Sequence, residues 1–181
     1  MRRTTVGVFA VAALALAGCG VGQNAGVQKA GTSIDGVNVD LNNGQLQVRN
    51  AYVTPSPLGA DQVSKGGTVQ LYAHIFNNAS QPDALVAVDC LDGGKAQFYP
   101  SVGTSGLVSG GATPNLPIAL PAHGLVKIGY PPGPSVTISS LGVAKFVGEY
   151  IHLRLSFANA GSVTIYAPVE ASPTTASAAA A

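Results

Sequence analysis

The chain reads as an all-β protein, a Greek-key β-sandwich of the cupredoxin or immunoglobulin type. Three observations point there. Thr68–Phe76 and Ile151–Phe157 alternate apolar and polar residues with a period of two. Twenty-three glycines and twelve prolines punctuate the sequence at short intervals, as the turns of such a fold require. No stretch after residue 18 sustains an apolar period of 3.6.

The first eighteen residues stand apart. Arg2 and Arg3 precede an apolar run from Val6 to Ala17, and Leu16-Ala17-Gly18-Cys19 ends it with small residues and a cysteine. This is the layout of an export signal, and the run is shorter than the ~20 residues of a membrane span. Cleavage is expected between Gly18 and Cys19. The junction resembles the lipobox of bacterial lipoproteins, which implies a diacylglycerol on the Cys19 thiol and further acylation, such as palmitate, on the new N-terminus. The expected location is the extracytoplasmic face of the cell membrane, with the lipid as the attachment. One acyl chain binds only marginally, whereas two or three hold firmly.

Residues 19–44 are Gly, Asn, Gln, Ser and Asp with isolated valines, and read as a flexible tether. The folded domain is expected over 45–170. Its first strand alternates Leu46, Val48 and Asn50 with Gln47, Arg49 and Ala51, continues through Tyr52-Val53, and is expected to break at Pro55 and Pro57. After the Lys65-Gly66-Gly67 turn, Val69, Leu71, Ala73 and Ile75 face one way and Gln70, Tyr72, His74 and Phe76 the other. Ala84–Cys90 is a nearly continuous apolar run, expected to be buried on both sides. Asp92-Gly93-Gly94 carries a hairpin signal into Lys95–Tyr99. Residues 100–115 are rich in Gly, Ser and Thr, with a short strand at Leu107-Val108. Further strands follow at Pro117–Leu120, Leu125–Tyr130 and Ser135–Leu141. Ile151, Leu153, Leu155 and Phe157 form the clearest half-buried strand, and Asn159-Ala160-Gly161 turns it back into Val163, Ile165 and Ala167. Residues 171–181, Ala, Ser, Thr and Pro without pattern, are expected to be a disordered tail.

Charge and cysteine count exclude several functions. Without Arg2 and Arg3, seven cations stand against eight acids. No basic stripe exists to neutralise phosphates, so no nucleic-acid partner is expected. With Cys19 acylated, Cys90 has no intramolecular partner, and its place at the end of an apolar run suits a buried structural thiol. The sequence contains no G-x-S-x-G elbow, no H-E-x-x-H, no P-loop and no C-x-x-C. Asp89 and Asp92 flank a surface turn, which does not perturb carboxyl pKa values toward catalysis. No enzymatic activity is expected, and the partners expected are the membrane and an unidentified envelope protein. His74, His123 and His152 are the only imidazoles. If the strands of His74 and His152 were neighbours, the two rings could meet, with Cys90 as a third, soft ligand for copper. His123 belongs to a Pro-Ala-His-Gly turn.

The order of landmarks resembles a known family. Gln47-Val48-Arg49-Asn50-Ala51-Tyr52, Tyr72-Ala73-His74-Ile75-Phe76-Asn77, Pro82-Asp83-Ala84-Leu85-Val86 and Leu120-Pro121-Ala122-His123-Gly124 are four of its markers. Leu153-Arg154-Leu155-Ser156-Phe157, Gly161-Ser162-Val163 and Ala167-Pro168-Val169 complete them. Over about residues 46–169 the chain is similar to the PCu(A)C-type periplasmic copper chaperones, and to actinobacterial lipoproteins, mycobacterial ones included, that carry this domain. The resemblance implies a cupredoxin-like sandwich and Cu(I) as cargo. It also implies ligand positions: a His and Met pair falling on Tyr99 and Ser101, and a His-x-Met falling on Ser135 and Thr137. None of these four is a soft donor, and Met1, which leaves with the signal, is the only methionine. The fold is therefore expected to carry over and the metal ligands are not.

Overall fold

The computed structural model describes residues 36–57, 60–102, 108–109 and 117–171. The chain forms β1 (Val37–Leu41), a 3-10 turn (Asn42–Gly44), β2 (Leu46–Ser56), β3 (Gln62–Val63), β4 (Thr68–Asn77) and β5 (Asp83–Cys90). It continues with β6 (Lys95–Tyr99), β7 (Ser101–Val102), β8 (Val108–Ser109), β9 (Ile118–Leu120) and β10 (Gly124–Ile128). Last come β11 (Ser135–Ser139), β12 (Lys145–Phe146), β13 (Tyr150–Phe157) and β14 (Gly161–Pro168). The signal segment, Gly18, Cys19, most of the 19–44 segment, residues 103–107 and 110–116, and the tail from 172 lie outside the described residues.

Two antiparallel sheets carry the core. The first runs β1-β2-β4-β11-β6, with β10 also on β4; the second runs β14-β13-β5-β9. β4 is the hub of the first sheet. One of its edges pairs β2; the other is shared, β10 taking Ala73–Asn77 and β11 taking Val69–Leu71. The chain crosses from one sheet to the other between β4 and β5 and back between β5 and β6, the connectivity of a Greek-key sandwich.

The two strands with the cleanest alternation supply the centre of the core. Val69, Leu71, Ala73 and Ile75 of β4 and Ile151, Leu153, Leu155 and Phe157 of β13 are all buried. Removing each larger side chain from water is worth about 1.5–3 kcal/mol, so these facing rows define the register of both sheets. Asn77 is the polar exception at the end of β4. Its amide donates to the Gln81 and Leu120 carbonyls and its oxygen accepts the Ala79 N–H, so burial leaves it satisfied.

Five expectations need correction. Val37–Leu41, read as part of a tether, forms β1 on the edge of the first sheet. It pairs β2 because Val37 and Val39 pack against the core and the Arg49 guanidinium reaches the Val39 carbonyl and the Asp40 carboxylate. The alternation of β2 shifts phase at Asn50, which takes φ 51° inside a bulge, so Ala51 rather than Asn50 turns inward and Arg49 and Tyr52 share the outer face. Pro55 does not end β2. Val53 directs its carbonyl away from β4 to accept the Glu170 N–H, and Pro55, of the same parity, needs no N–H on that edge.

β5 is not buried on both sides. A register shift opposite Ser156/Phe157 leaves Val86 extra and exposed, which turns both Leu85 and Val88 inward despite their odd spacing. Asp92-Gly93-Gly94 does not close a hairpin. It is the corner where the chain leaves the second sheet for the first, with Gly93 at φ 82° and Gly94 at φ 138°. The corner is held by the Gly142 N–H, which donates to the Asp92 carbonyl.

Candidate functional site

The three side chains considered for copper are not brought together. His74 stands on β4 and faces outward from the first sheet; His152 stands on β13 and faces outward from the second. The full thickness of the core separates them. Cys90 pairs Leu153 directly and, like that buried residue, points toward the core, on the opposite face of its sheet from His152. Burial pushes its thiol pKa up, which makes it a poor thiolate source. Among the described residues no group of three His, Cys, Asp or Glu side chains is disposed to hold a metal ion.

Each histidine has a different setting. The His74 ring stacks on Tyr130 at 4.9 Å, and Tyr130 meets Tyr72 edge-on at 5.2 Å. Tyr72 in turn stacks flat on Tyr52 at 5.0 Å, and the Tyr52 and Tyr130 hydroxyls lie 3.2 Å apart. Gly129 lets this cluster form: at φ 83° it passes so close to β4 that a Cβ there would lie 2.6 Å from the Leu71 carbonyl oxygen and 2.8 Å from the Tyr72 ring. Burial, and then Lys127 across the strand pair, lower the His74 pKa. Burial and the Tyr130 hydroxyl push the Tyr52 phenol far above its ordinary range. The cluster is a packed patch of sheet surface, with Arg49 and Lys127 on the strands to either side of His74.

His152 is held by a carboxylate. Asp92 Oδ2 accepts the His152 backbone N–H at 2.8 Å, Oδ1 lies 2.9 Å from Nδ1, and the ring meets Tyr166 edge-on at 4.8 Å. Burial opposes ionisation of Asp92, but the His152 amide and ring together with Lys145 outweigh it and hold the carboxyl below its ordinary value. The pair orients an imidazole, yet the described residues bring no hydroxyl or thiol into hydrogen bond with it. His123 sits exposed in its turn at φ 52°.

Of the four positions that the family resemblance assigned to ligands, two are direct strand partners. Tyr99 on β6 is the direct partner of Ser135 on β11, Thr137 lies two residues along β11 opposite Gln97, and Ser101 opens β7. Ser135 is fully buried, and its hydroxyl has no hydrogen-bond partner among the described residues. Beside it, Phe98, Tyr99, Pro100, Ile118, Val126 and Pro134 line an apolar groove of about 340 Å³. A larger cleft of about 580 Å³ lies elsewhere, lined mainly by amides and short polar residues, Asn42, Gln45, Ser80, Gln81, Asp83 and Asn159 among them. The Asp83 carboxylate is spent on the Ala84, Asn159 and Ala160 amides, which pins the β13–β14 turn to the start of β5.

The two antiparallel sheets in Greek-key order define a β-sandwich. The chain belongs to the family described as "Putative lipoprotein LpqE-like", whose model matches residues 46–169. Its solved structural neighbours include a copper-bound PCuAC domain from PmoF2, 25% identical with a TM-score of 0.56, over 76% of this chain and 99% of that one. The apo PCuAC domain from PmoF1 is 26% identical with a TM-score of 0.57, over 76% of this chain and all of that one. No curated protein matches the chain. Among the described residues no helix is long and apolar enough to cross a membrane.

Proposed function

We propose that this chain is a lipid-anchored module on the outer face of the cell membrane that uses the copper-chaperone scaffold to bind an envelope partner, and is neither an enzyme nor a thioether carrier of Cu(I). The observation that carries the reading is the Tyr99–Ser135 strand pair. Where the family resemblance implies soft ligands, adjacent strands present a phenol and a buried hydroxyl with no hydrogen-bond partner among the described residues, with Thr137 next along. Oxygen donors of this kind suit hard cations rather than Cu(I). The family's description as lipoproteins supports the anchor at Cys19. The copper-bound neighbour keeps Cu(I) as the cargo to test first.

Titration of the protein with Cu(I) against a competing chelator is the direct test. The expected result is no stoichiometric competition. Tight one-to-one binding that disappears in His152→Ala would replace this reading with that of a copper carrier using ligands of its own. Attachment is tested separately: Cys19→Ala should release the protein to the medium, and continued membrane retention would exclude the acyl anchor.

A further inference from the structure

Eight large apolar residues are exposed among the described ones, and six of them gather at one end of the sandwich. Leu91, Val143, Phe146, Val147, Tyr150 and Tyr166 are each between 39 and 59% exposed. Backbone and ring contacts knit their segments together. The Leu91 N–H donates to the His152 carbonyl, the His152 ring meets Tyr166, and Gly142, next to Val143, is bonded to Asp92. Tyr150 and Tyr166 are diagonal neighbours across β13 and β14. Every residue from Gly142 to Tyr150 is exposed except Lys145, which lies close to Asp92. Exposed apolar residues gathered at one end rather than scattered singly mark an interaction surface.

The course of the chain indicates what covers it. Gly36, the first described residue, is bonded to Asn50, and Val37 pairs Ala51. Two residues further along β2, Val53 bridges Val169, and Val169 accepts the Gly148 N–H and donates to the Glu149 carbonyl. Gly36 therefore lies beside the middle of β2, with β1 starting on the side toward the end that displays the cluster. Sixteen residues lie between Cys19 and Gly36, a reach of at most about 60 Å when fully extended. The apolar side chains agree: Tyr and Phe prefer the boundary between headgroups and acyl chains, while the two charges of the segment are engaged within the protein, Glu149 on the Phe146 N–H and Lys145 near Asp92.

We propose that this apolar end, with Phe146 and Tyr150 foremost, docks onto the lipid bilayer to which Cys19 attaches the chain, so that the domain lies on the membrane in one orientation. The inference rests on the anchored reading above. It also explains why β12 exposes Phe146 opposite Gln62 rather than burying it.

The chain contains no tryptophan, so one introduced residue reports alone. The full-length lipidated protein carrying Phe146→Trp is reconstituted into phosphatidylcholine–phosphatidylglycerol vesicles with brominated acyl chains. Leu125→Trp, on the outer face of the other sheet, serves as control. The expected result is blue-shifted emission at position 146 that loses at least about half its intensity to the bromines, as burial at the headgroup–acyl boundary requires, with position 125 unchanged. Flotation of the protein with vesicles while position 146 stays water-exposed and unquenched would overturn the docking alone. Blue-shifted but unquenched emission would overturn it in favour of contact with protein. Failure to float would overturn the anchored reading, and the docking with it.

Discussion

Asp92 grips His152 at two points, its two carboxylate oxygens meeting the backbone N–H at 2.8 Å and the ring nitrogen Nδ1 at 2.9 Å. The contact ties the corner between β5 and β6 to the first residues of β13, elements 60 positions apart in the chain. Asp92→Ala should cost about 1–2 kcal/mol, in the range of charge-assisted hydrogen bonds at a partly exposed site. Because the folded state holds this carboxyl below its ordinary value of 3.8, its contribution is complete above that pH and is lost as pH falls through the lowered value. Urea midpoints measured at about pH 6 and about pH 3 should differ less in Asp92→Ala than in the unmodified protein.

Acid should also act through His74 in a higher window. The fold disfavours the imidazolium, through burial and then Lys127, with Arg49 across the other strand and Tyr130 stacked on the ring. The unfolded chain takes up a proton near 6.5, so stability should decline as pH falls below that value toward the lowered one. His74→Gln should flatten the dependence of the urea midpoint on pH between about 7 and 5. An unchanged slope would assign it elsewhere.

The bulge in β5 makes neighbours unequal. Leu85→Ala empties a fully buried site and should cost about 2–5 kcal/mol, whereas Val86→Ala, on the exposed bulge residue, should stay within about 0.5 kcal/mol. Thermal or urea unfolding of the two variants checks the register directly. The reverse ranking, with Val86→Ala the costlier, would mean that the strand is regular.

Gly129→Ala meets both a left-handed backbone and a collision with Leu71 and Tyr72. A loss of more than about 1–2 kcal/mol is expected, since the conformation alone costs about that much for a residue with a Cβ. Near-ultraviolet circular dichroism should change with it, because the tyrosine stack built around this turn would loosen.

These contrasts mark how far the sequence could be read. The alternation in β4 and β13 was legible because each strand buries one face against a single core, and Leu153 or Ile75 could be assigned from period alone. The bulges at Asn50 and Val86 were not, because an extra residue is defined only by the partner strand opposite it. Asp92-Gly93-Gly94 has the turn chemistry of a hairpin, and the same chemistry serves a corner between sheets. At the candidate site, the family resemblance named Tyr99 and Ser135 as positions, but their pairing across β6 and β11 is a matter of sheet register that the sequence does not display. The Tyr52–Tyr130 contact spans 78 positions, and no local pattern announces it. The outward alternation of Tyr72 and His74, with Tyr130 before a Pro-Pro turn, was the one clue to that cluster.

Residues 169 and 170 stitch the end of the second sheet to Val53 in the first, through the only parallel bridge among the described residues and the Glu170 N–H. They follow every other described strand. A nascent chain that has not yet released them lacks this seam between the layers, so completion of the native structure is postponed until synthesis has passed that point.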